Sequence, residues 1–255
     1  MKPYYEHAGI TIYHGDCLEI LPSIQAHLCL TDPPYNVGEK YGESYRDQIE
    51  LWSDWLGSRL AASTADEFVY FPGHRHFFDV PSIAILAGAR IRRVLGWHKR
   101  EFAGDLWTSG PAISWEPIVW MGRTDEMVFH KRFGTYGRDF LVVNSIHGNP
   151  FKGPHPCPKP LEVMRWLIGL FAPADGIVVD PFCGSGTTLE ACKNAAIKAI
   201  GIEIEEKYCE IAAKRLSQEA FDFGPSDRLV SPTDRSVGST RLPLLSVTDP
   251  STDDG

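Results

Sequence analysis

A glycine-rich turn between a predicted strand and a predicted helix constrains the fold of this chain most. It lies in residues 176–195, GIVVDPFCGSGTTLEACKNA, where an apolar run ends at Asp180 and a helix begins near Thr187. Gly184 and Gly186 allow the backbone to approach a ligand closely, and the N-terminus of the helix favours a carboxylate or a phosphate. This order of elements predicts an α/β fold with a ligand at the carboxyl end of the strand.

An acidic residue ends the next predicted strand. Glu203 follows Asp180 by 23 residues, within AIGIEIEEKY, and a carboxylate at that position can accept hydrogen bonds from both hydroxyls of a ribose. No lysine directly follows Gly186, so the turn does not match a phosphate-binding P-loop. The alternative is a tight strand–helix turn without a ligand, and the acid at the strand end favours the nucleoside-binding interpretation.

A third strand end carries an acid followed by two prolines and an aromatic residue. The segment is LCLTDPPYN, residues 28–36, and the prolines stop the strand because proline lacks a backbone N–H. An amino group on a planar base could donate one hydrogen to the Asp32 carboxylate and one to the Pro33 carbonyl, while Tyr35 stacks on the ring. Such bonds would aim the nitrogen lone pair at a methyl donor. The alternative is a proline-rich loop with no ligand.

Strands and helices alternate along most of the sequence, which predicts a single, mostly parallel, doubly wound sheet with helices on both faces. The regular pattern is lost from Gly122 to Pro158, and a long irregular stretch inside a compact domain is more often functional than accidental. Residues 221–255 are rich in Ser, Thr, Pro and Asp and are expected to be a disordered tail. The catalytic domain is expected to span residues 1–220.

Taken together, these motifs resemble the amino-methyltransferases of DNA, which methylate adenine N6 or cytosine N4. The resemblance covers about residues 10–217, and the catalytic motif precedes the cofactor motif, as in the β class of that family. It implies a Rossmann-like, S-adenosylmethionine-dependent methyltransferase fold. The matching segments are HGDCLEIL at 14–21, DPPY at 32–35, HPCPKP at 155–160, FCGSG at 182–186 and the acid Glu203.

The resemblance implies roles for individual residues. Glu203 would hold the ribose hydroxyls of S-adenosylmethionine, and Asp16 would contact its adenine. The flipped target base would be bound by the catalytic residues Asp32, Pro33, Pro34 and Tyr35. The methionine end of the cofactor would lie among Lys159, Asp180, Phe182, Gly184, Ser185, Gly186, Thr187 and Thr188.

Target recognition would fall to residues 123–150, which is a short segment for that task. A short target site, a partner subunit such as a second copy of the chain in a homodimer, or the loop at 36–48 would then have to contribute. The formal net charge of −8 disfavours a DNA partner when taken over the whole chain. The basic stretch at 90–100 offers a local basic face.

The resemblance also implies a reaction on DNA. The target nucleotide would leave the duplex and enter the DPPY pocket, where its amino nitrogen attacks the methyl group without a covalent enzyme intermediate. Adenine N6 is the expected target and cytosine N4 the alternative, because DPPY occurs with both bases in the family and is commoner with adenine. A non-catalytic DNA-binding regulator is disfavoured by the intact Asp32 and Tyr35. A dinucleotide oxidoreductase would leave DPPY without a role.

Composition sets further expectations. The six cysteines form no CxxC pair, so free thiols are expected rather than disulfides or a zinc site. His74 and His76 lack a third ligand at fitting spacing, and no metal is expected. The sequence shows neither a secretory signal nor an apolar run of roughly 20 residues, so a cytoplasmic protein without membrane contact is expected.

Overall fold

The computed structural model describes residues 1–36, 49–99, 114–126, 138–143 and 159–218, and the backbone of two short strands between the first two ranges. The strands of the described part are β1 (Tyr5–His7), β2 (Ile10–His14), β3 (Leu28–Thr31), β4 (Lys40–Tyr41), β5 (Tyr45–Arg46), β6 (Glu67–Tyr70), β7 (Arg90–Lys99), β8 (Trp115–Gly122), β9 (Phe140–Val143), β10 (Ile177–Asp180) and β11 (Lys198–Glu203). The helices are α1 (Cys17–Ile20), α2 (Trp52–Ala62), α3 (Val80–Leu86), α4 (Leu161–Phe171), α5 (Thr187–Asn194) and α6 (Glu206–Ser217).

Nine of these strands form one sheet in the order β1-β2-β11-β10-β3-β6-β8-β7-β9, and β4 pairs with β5 separately. The pairings β2–β11, β11–β10, β10–β3, β3–β6 and β7–β9 are parallel. The pairings of β1 with β2 and of β8 with β6 and β7 are antiparallel. The predicted mostly parallel α/β sheet is confirmed.

Helices cover the sheet on both faces. Buried side chains of α4, α5 and α6 pack in one hydrophobic cluster, whereas those of α1, α2 and α3 pack in a second. The chain leaving β3 therefore crosses to one face and the chain leaving β10 crosses to the other. Neighbouring parallel strands whose connections diverge in this way leave a crevice at their carboxyl ends, which is where α/β sheets bind ligands.

Local signals in the sequence set several helix boundaries. Helix α1 begins after Asp16, whose carboxylate accepts a hydrogen bond from the Leu18 backbone N–H at 2.9 Å. Helix α4 follows Pro160, which suits the start of a helix because its missing N–H would have no partner there. Helix α6 has Glu206 in its first turn and a basic pair in its last, as the helix dipole favours.

Two parts of the structure differ from the sequence prediction. Strand β9 lies inside the stretch expected to be irregular. It has only four residues, two of which are at least 44% exposed, so its alternation of buried and exposed residues is too weak to predict an edge strand. The basic stretch at 90–100 does not form a uniformly basic face. Arg92 is 6% exposed and paired with Glu67, and Lys99 is paired with Glu116, so two of its charges are neutralised.

Other expectations concern particular groups. The five cysteines in the described ranges are free and buried, as expected. Within those ranges no group of His, Cys, Asp or Glu is arranged to hold a metal ion, and no helix is long and apolar enough to cross a membrane. The expected tail at 221–255 and the parts of the recognition segment at 127–137 and 144–150 lie outside the described residues.

Candidate active site

The sheet brings the two predicted motifs to one place. Strands β3 and β10 are parallel neighbours, and each ends at a motif, so DPPY begins beside the glycine turn. The Thr31 hydroxyl donates to Asp180 Oδ1 at 2.6 Å, across 149 residues of sequence. Thr31 was not predicted as a site residue, although a hydroxyl residue that ends an apolar strand is a signal of such a bond, since a buried hydroxyl needs a partner.

The backbone of the glycine turn takes a conformation that glycine adopts readily and other residues rarely do. Gly184 and Gly186 have φ angles of +49° and +82°, in the left-handed region that side chains rarely adopt. A Cβ at Gly186 would also lie 3.0 Å from the Ala212 side chain in α6. Glycine is therefore required there both by conformation and by space.

Glu203 closes the same side of the crevice from the end of β11. Its side chain is buried, and its two oxygens accept backbone N–H bonds from Gly184 and Glu205, each at 2.9 Å. Burial raises the pKa of this carboxyl to about 7. Each oxygen keeps further acceptor capacity, so the carboxylate fits the two ribose hydroxyls of S-adenosylmethionine.

Asp180 organises the turn between these groups. Its carboxylate also accepts the Phe182 backbone N–H at 3.1 Å, and burial raises its pKa to about 6. On the other side, Gly15 N donates to Glu203 O at 2.9 Å, which places Asp16 next to the end of β11. The predicted cofactor residues other than Lys159 thus gather along one edge of the sheet.

Arg215 of α6 fixes the start of α5. Its guanidinium donates to the Ser185 carbonyl at 3.2 Å and to Thr187 Oγ1 at 2.9 Å, and it pairs with Glu190. The sequence indicated Arg215 only as a favourable charge at a helix C-terminus. Its contacts to a segment 28 residues away could not be read from local spacing.

Asp32 has a donor on each carboxylate oxygen. Tyr35 Oη donates to Oδ1 and Lys159 Nζ donates to Oδ2, both at 2.7 Å. The Asp32 side chain is 24% exposed and that of Lys159 is 8% exposed. Burial raises the pKa of Asp32, and Lys159 opposes that rise. The resemblance implies a place for Lys159 near the methionine end of the cofactor, and the structure shows its ammonium group bonded to Asp32.

Glu116 of β8 is a second carboxylate in this pocket. Its Oε1 lies 2.5 Å from Lys99 Nζ, and its Oε2 lies 3.6 Å from Lys159 Nζ and 3.4 Å from Tyr35 Oη. Burial opposes its ionisation, but Lys159 and Lys99 outweigh burial and lower its pKa. Glu116 was not predicted as a site residue, because a single acid in a strand forms no sequence pattern.

The side chains of Trp52 and His76 are hydrogen-bonded to the backbone of the DPPY loop. Trp52 Nε1 donates to the Pro34 carbonyl at 2.7 Å, and His76 Nε2 is hydrogen-bonded to the Tyr35 carbonyl at 3.1 Å. The Trp52 and His76 rings stack with their centroids 4.0 Å apart. The Pro34 carbonyl is therefore occupied, and it is distinct from the Pro33 carbonyl expected to accept the target amino group.

Comparisons with known proteins relate this chain to DNA methyltransferases. A sequence profile of the DNA methylase family, covering N6 and N4 enzymes, matches residues 26–214. The type II methyltransferase M.ScaI of Streptomyces caespitosus is 27% identical over 266 residues, covering 86% of this chain and 85% of that protein. The crystal structure of the M1.HpyAVI complex with S-adenosylmethionine has a TM-score of 0.66 at 28% identity, covering 82% of this chain and all of that one.

A further solved structure shares the fold. PvuII DNA methyltransferase, a cytosine-N4-specific enzyme, has a TM-score of 0.70 at 19% identity, covering 86% of this chain and 90% of that one. The family match spans most of the chain and includes both motifs of the crevice. The chain therefore belongs to the DNA methylase family of N6-adenine and N4-cytosine methyltransferases, whose cofactor is S-adenosylmethionine.

Proposed function

We propose that this chain methylates adenine at N6, on a nucleotide that has rotated out of the DNA duplex into the pocket at Asp32. The observation that carries the proposal is the junction of β3 and β10. The Thr31–Asp180 hydrogen bond ties the end of the catalytic strand to the glycine turn, so the base pocket opens directly beside the cofactor crevice. Such adjacency lets a bound base and a methyl donor react by positioning.

The residues of the pocket orient the base. The Asp32 carboxylate and the Pro33 carbonyl accept the two N–H bonds of the amino group, which turns the nitrogen lone pair out of the ring system. The Tyr35 ring covers one face of the base. S-adenosylmethionine supplies an electrophilic methyl group when it is bound. As the nitrogen gains a bond to the methyl carbon, the carbon–sulfur bond of the donor would break and leave a neutral thioether. The nitrogen is cationic until one N–H proton leaves to solvent, and the nearby Asp32 carboxylate stabilises that charge.

The cofactor would be held by the other side of the crevice. Glu203 accepts the ribose hydroxyls, and Asp16, beside it, receives the adenine ring. The turn surrounds the methionine end, where the buried hydroxyls of Ser185, Thr187 and Thr188 and the carboxylate of Asp180 supply polar contacts. Phe182 is stacked against the Trp55 ring, with centroids 5.2 Å apart, and forms an apolar wall.

The choice of adenine rests on the DPPY tetrapeptide. In the family that this chain resembles, enzymes with DPPY methylate adenine more often than cytosine. The likeness to the cytosine-N4 enzyme is at 19% identity and supports the fold alone. Mass spectrometry of nucleosides from DNA treated with the purified chain tests the choice. We expect N6-methyladenine; N4-methylcytosine would reassign the base, and unmethylated DNA would favour a non-catalytic regulator.

Target recognition is proposed for residues beyond Arg123. The Arg123 guanidinium already donates to five backbone carbonyls of the protein frame, which commits it to structure. Residues 124–150 and the loop at 36–48 then supply the contacts that read the sequence, alone or with a second copy of the chain. Long-read sequencing of methylated DNA would report the target sequence.

A further inference from the structure

Asp32 is already engaged before a base arrives. Tyr35 and Lys159 each hold one of its oxygens at 2.7 Å, and the carboxylate is largely enclosed. On the proposed function, the amino group of the target base must donate to the same carboxylate. Each Asp32 oxygen can accept a second hydrogen bond, but an entering N–H must share that oxygen with a donor already in place. Sharing weakens the bond of the first donor, so a second acceptor close to that donor lets it turn and make room for the base.

Glu116 is an acceptor within reach of both donors. Its Oε2 lies 3.4 Å from Tyr35 Oη and 3.6 Å from Lys159 Nζ, so either donor reaches full hydrogen-bond distance by a shift of less than about 1 Å. Lys99 holds the other oxygen at 2.5 Å and keeps Oε2 directed at the pocket. The Glu116 side chain is 13% exposed, which limits competition from water.

We propose that Glu116, anchored by Lys99, is a positioning residue that receives the hydrogen bonds of Tyr35 and Lys159 when the target amino group occupies Asp32. This inference rests on the proposed function. Glu116 acts through Tyr35 and Lys159 and does not touch the base. The exchange moves hydrogen bonds only, so no proton or electron pair changes owner.

Glu116 also contributes to the charge balance of the pocket. Among the described residues, Asp32 and Glu116 face Lys159 and Lys99, two carboxylates against two ammonium groups, and Asp180 on β10 adds a carboxyl held by Thr31. Without Glu116 the pocket gains positive charge where the amino nitrogen becomes cationic. Lys159 lowers the pKa of Asp32 and Glu116 raises it, so their removal should shift that pKa in opposite directions.

The test uses the full chain and saturating S-adenosylmethionine, so that cofactor binding does not shape the pH profile. Single-turnover methyl transfer to amplified, modification-free genomic DNA is measured between pH 5 and 9, about the range in which perturbed carboxyls titrate. The variants are Glu116→Gln, Lys159→Met, Lys99→Met and the Glu116→Gln/Lys99→Met double variant. Glu210→Gln is the matched control, since it breaks an exposed pair with Lys214 on α6.

We expect Glu116→Gln to slow methyl transfer by about tenfold or more, the scale of losing one positioned contact, with cofactor affinity within about twofold of wild type. The acidic limb of its pH–rate profile should move to lower pH, because the pKa of Asp32 falls when Glu116 is removed. The acidic limb of the Lys159→Met profile should move to higher pH. Because Lys99 acts through Glu116, the double variant should be no slower than Glu116→Gln. Glu210→Gln should match wild type.

Several results would overturn the inference. One is a Glu116→Gln variant with the wild-type rate and an unshifted acidic limb; another is a variant whose cofactor affinity falls as much as its rate. If Glu116→Gln does not fold, Glu116→Asp keeps the charge on a shorter arm and should lose rate without moving the limb. A wild-type chain that methylates no base removes the proposed function and this inference together. If the wild-type chain methylates DNA and Glu116→Gln has the same rate and pH profile, this inference alone is removed.

Discussion

Glu203 shows how burial and backbone contacts fix a single side chain at the place where we propose that the ribose binds. The residue is 8% exposed, burial raises the pKa of its carboxyl group to about 7, and two backbone N–H groups fix its orientation. A carboxylate held in this way loses little conformational freedom when it accepts two hydroxyls. The conformational entropy of fixing this side chain is lost when the turn folds and not when the ligand binds.

Replacing this side chain should therefore affect the cofactor directly. In Glu203→Ala, two hydrogen bonds to a charged acceptor are lost, on the order of 2–4 kcal/mol. Since about 1.4 kcal/mol corresponds to a factor of ten in affinity, we expect S-adenosylmethionine binding, measured by titration calorimetry, to weaken by well over tenfold. The circular dichroism spectrum should stay unchanged. An unaltered dissociation constant would remove Glu203 from the ribose site.

The raised pKa of Glu203 gives the binding a pH dependence. Ribose hydroxyls donate to the ionised form, so the cofactor favours loss of the proton, and affinity should fall as the pH falls through about 7. Between pH 8 and pH 6 the dissociation constant should rise about tenfold, since one pH unit below a pKa protonates about nine-tenths of the group. Glu203→Gln, which has no carboxyl proton to lose, should show a shallower profile that keeps only the contribution of other groups such as Asp180, whose pKa is about 6; the same slope in both proteins would contradict the assignment.

At this scale the sequence predicts acids at strand ends but not their partners. Asp32, Asp180 and Glu203 each close an apolar run, and the structure brings them to one crevice. Lys159 reaches Asp32 across 127 residues and Glu116 reaches Tyr35 across 81, and only the folded structure makes them neighbours. Long-range pairs of this kind leave no local spacing to read.

Elements of the fold depend on a few buried polar contacts. Arg123, just after β8, donates to carbonyls around the carboxyl ends of α2 and α3, where helices leave backbone acceptors without partners. One guanidinium thus joins two helices to the central sheet. Its carbonyl partners are those of Leu60, Ala61, Ser63, Ala65 and Ala87.

We expect Arg123→Ala to lower the free energy of unfolding by about 2–4 kcal/mol, because several backbone acceptors lose a charged donor at once. Arg123→Lys should recover only part of this loss, since an ammonium group cannot reproduce the planar fork. Chemical denaturation measures both. Arg90→Ala, which removes an exposed pair with Asp125, is the control and should cost less than about 1 kcal/mol. Equal losses at Arg123 and Arg90 would contradict the role of Arg123.

Sequence periodicity predicts the elements that are buried on both faces. Strands β3, β6, β10 and β11 appear as apolar runs because parallel strands are covered by helices on both sides. The edge strands β1 and β9 are short and partly exposed, and they are recognisable only through the neighbours with which they pair. This is why their positions were not predicted.

For the molecule as a whole, residues 221–255 are predicted to be dispensable. They combine Pro, Ser, Asp and Gly without hydrophobic periodicity, so they should contribute little to a core. A chain ending at Phe223 should keep its melting temperature and its methyl transfer rate. A large loss of either would show that the tail contributes to stability or to DNA binding.

Asp32→Ala tests the central claim most directly, because it separates catalysis from cofactor binding. The change removes the acceptor that orients the target amino group and leaves Glu203 and the glycine turn intact. Cofactor affinity should stay within a few-fold of wild type, while methyl transfer falls by about 10² or more, as expected for one well-placed transition-state contact. The wild-type product should be N6-methyladenine. Methyl transfer by Asp32→Ala at the wild-type rate would contradict the assignment of the pocket.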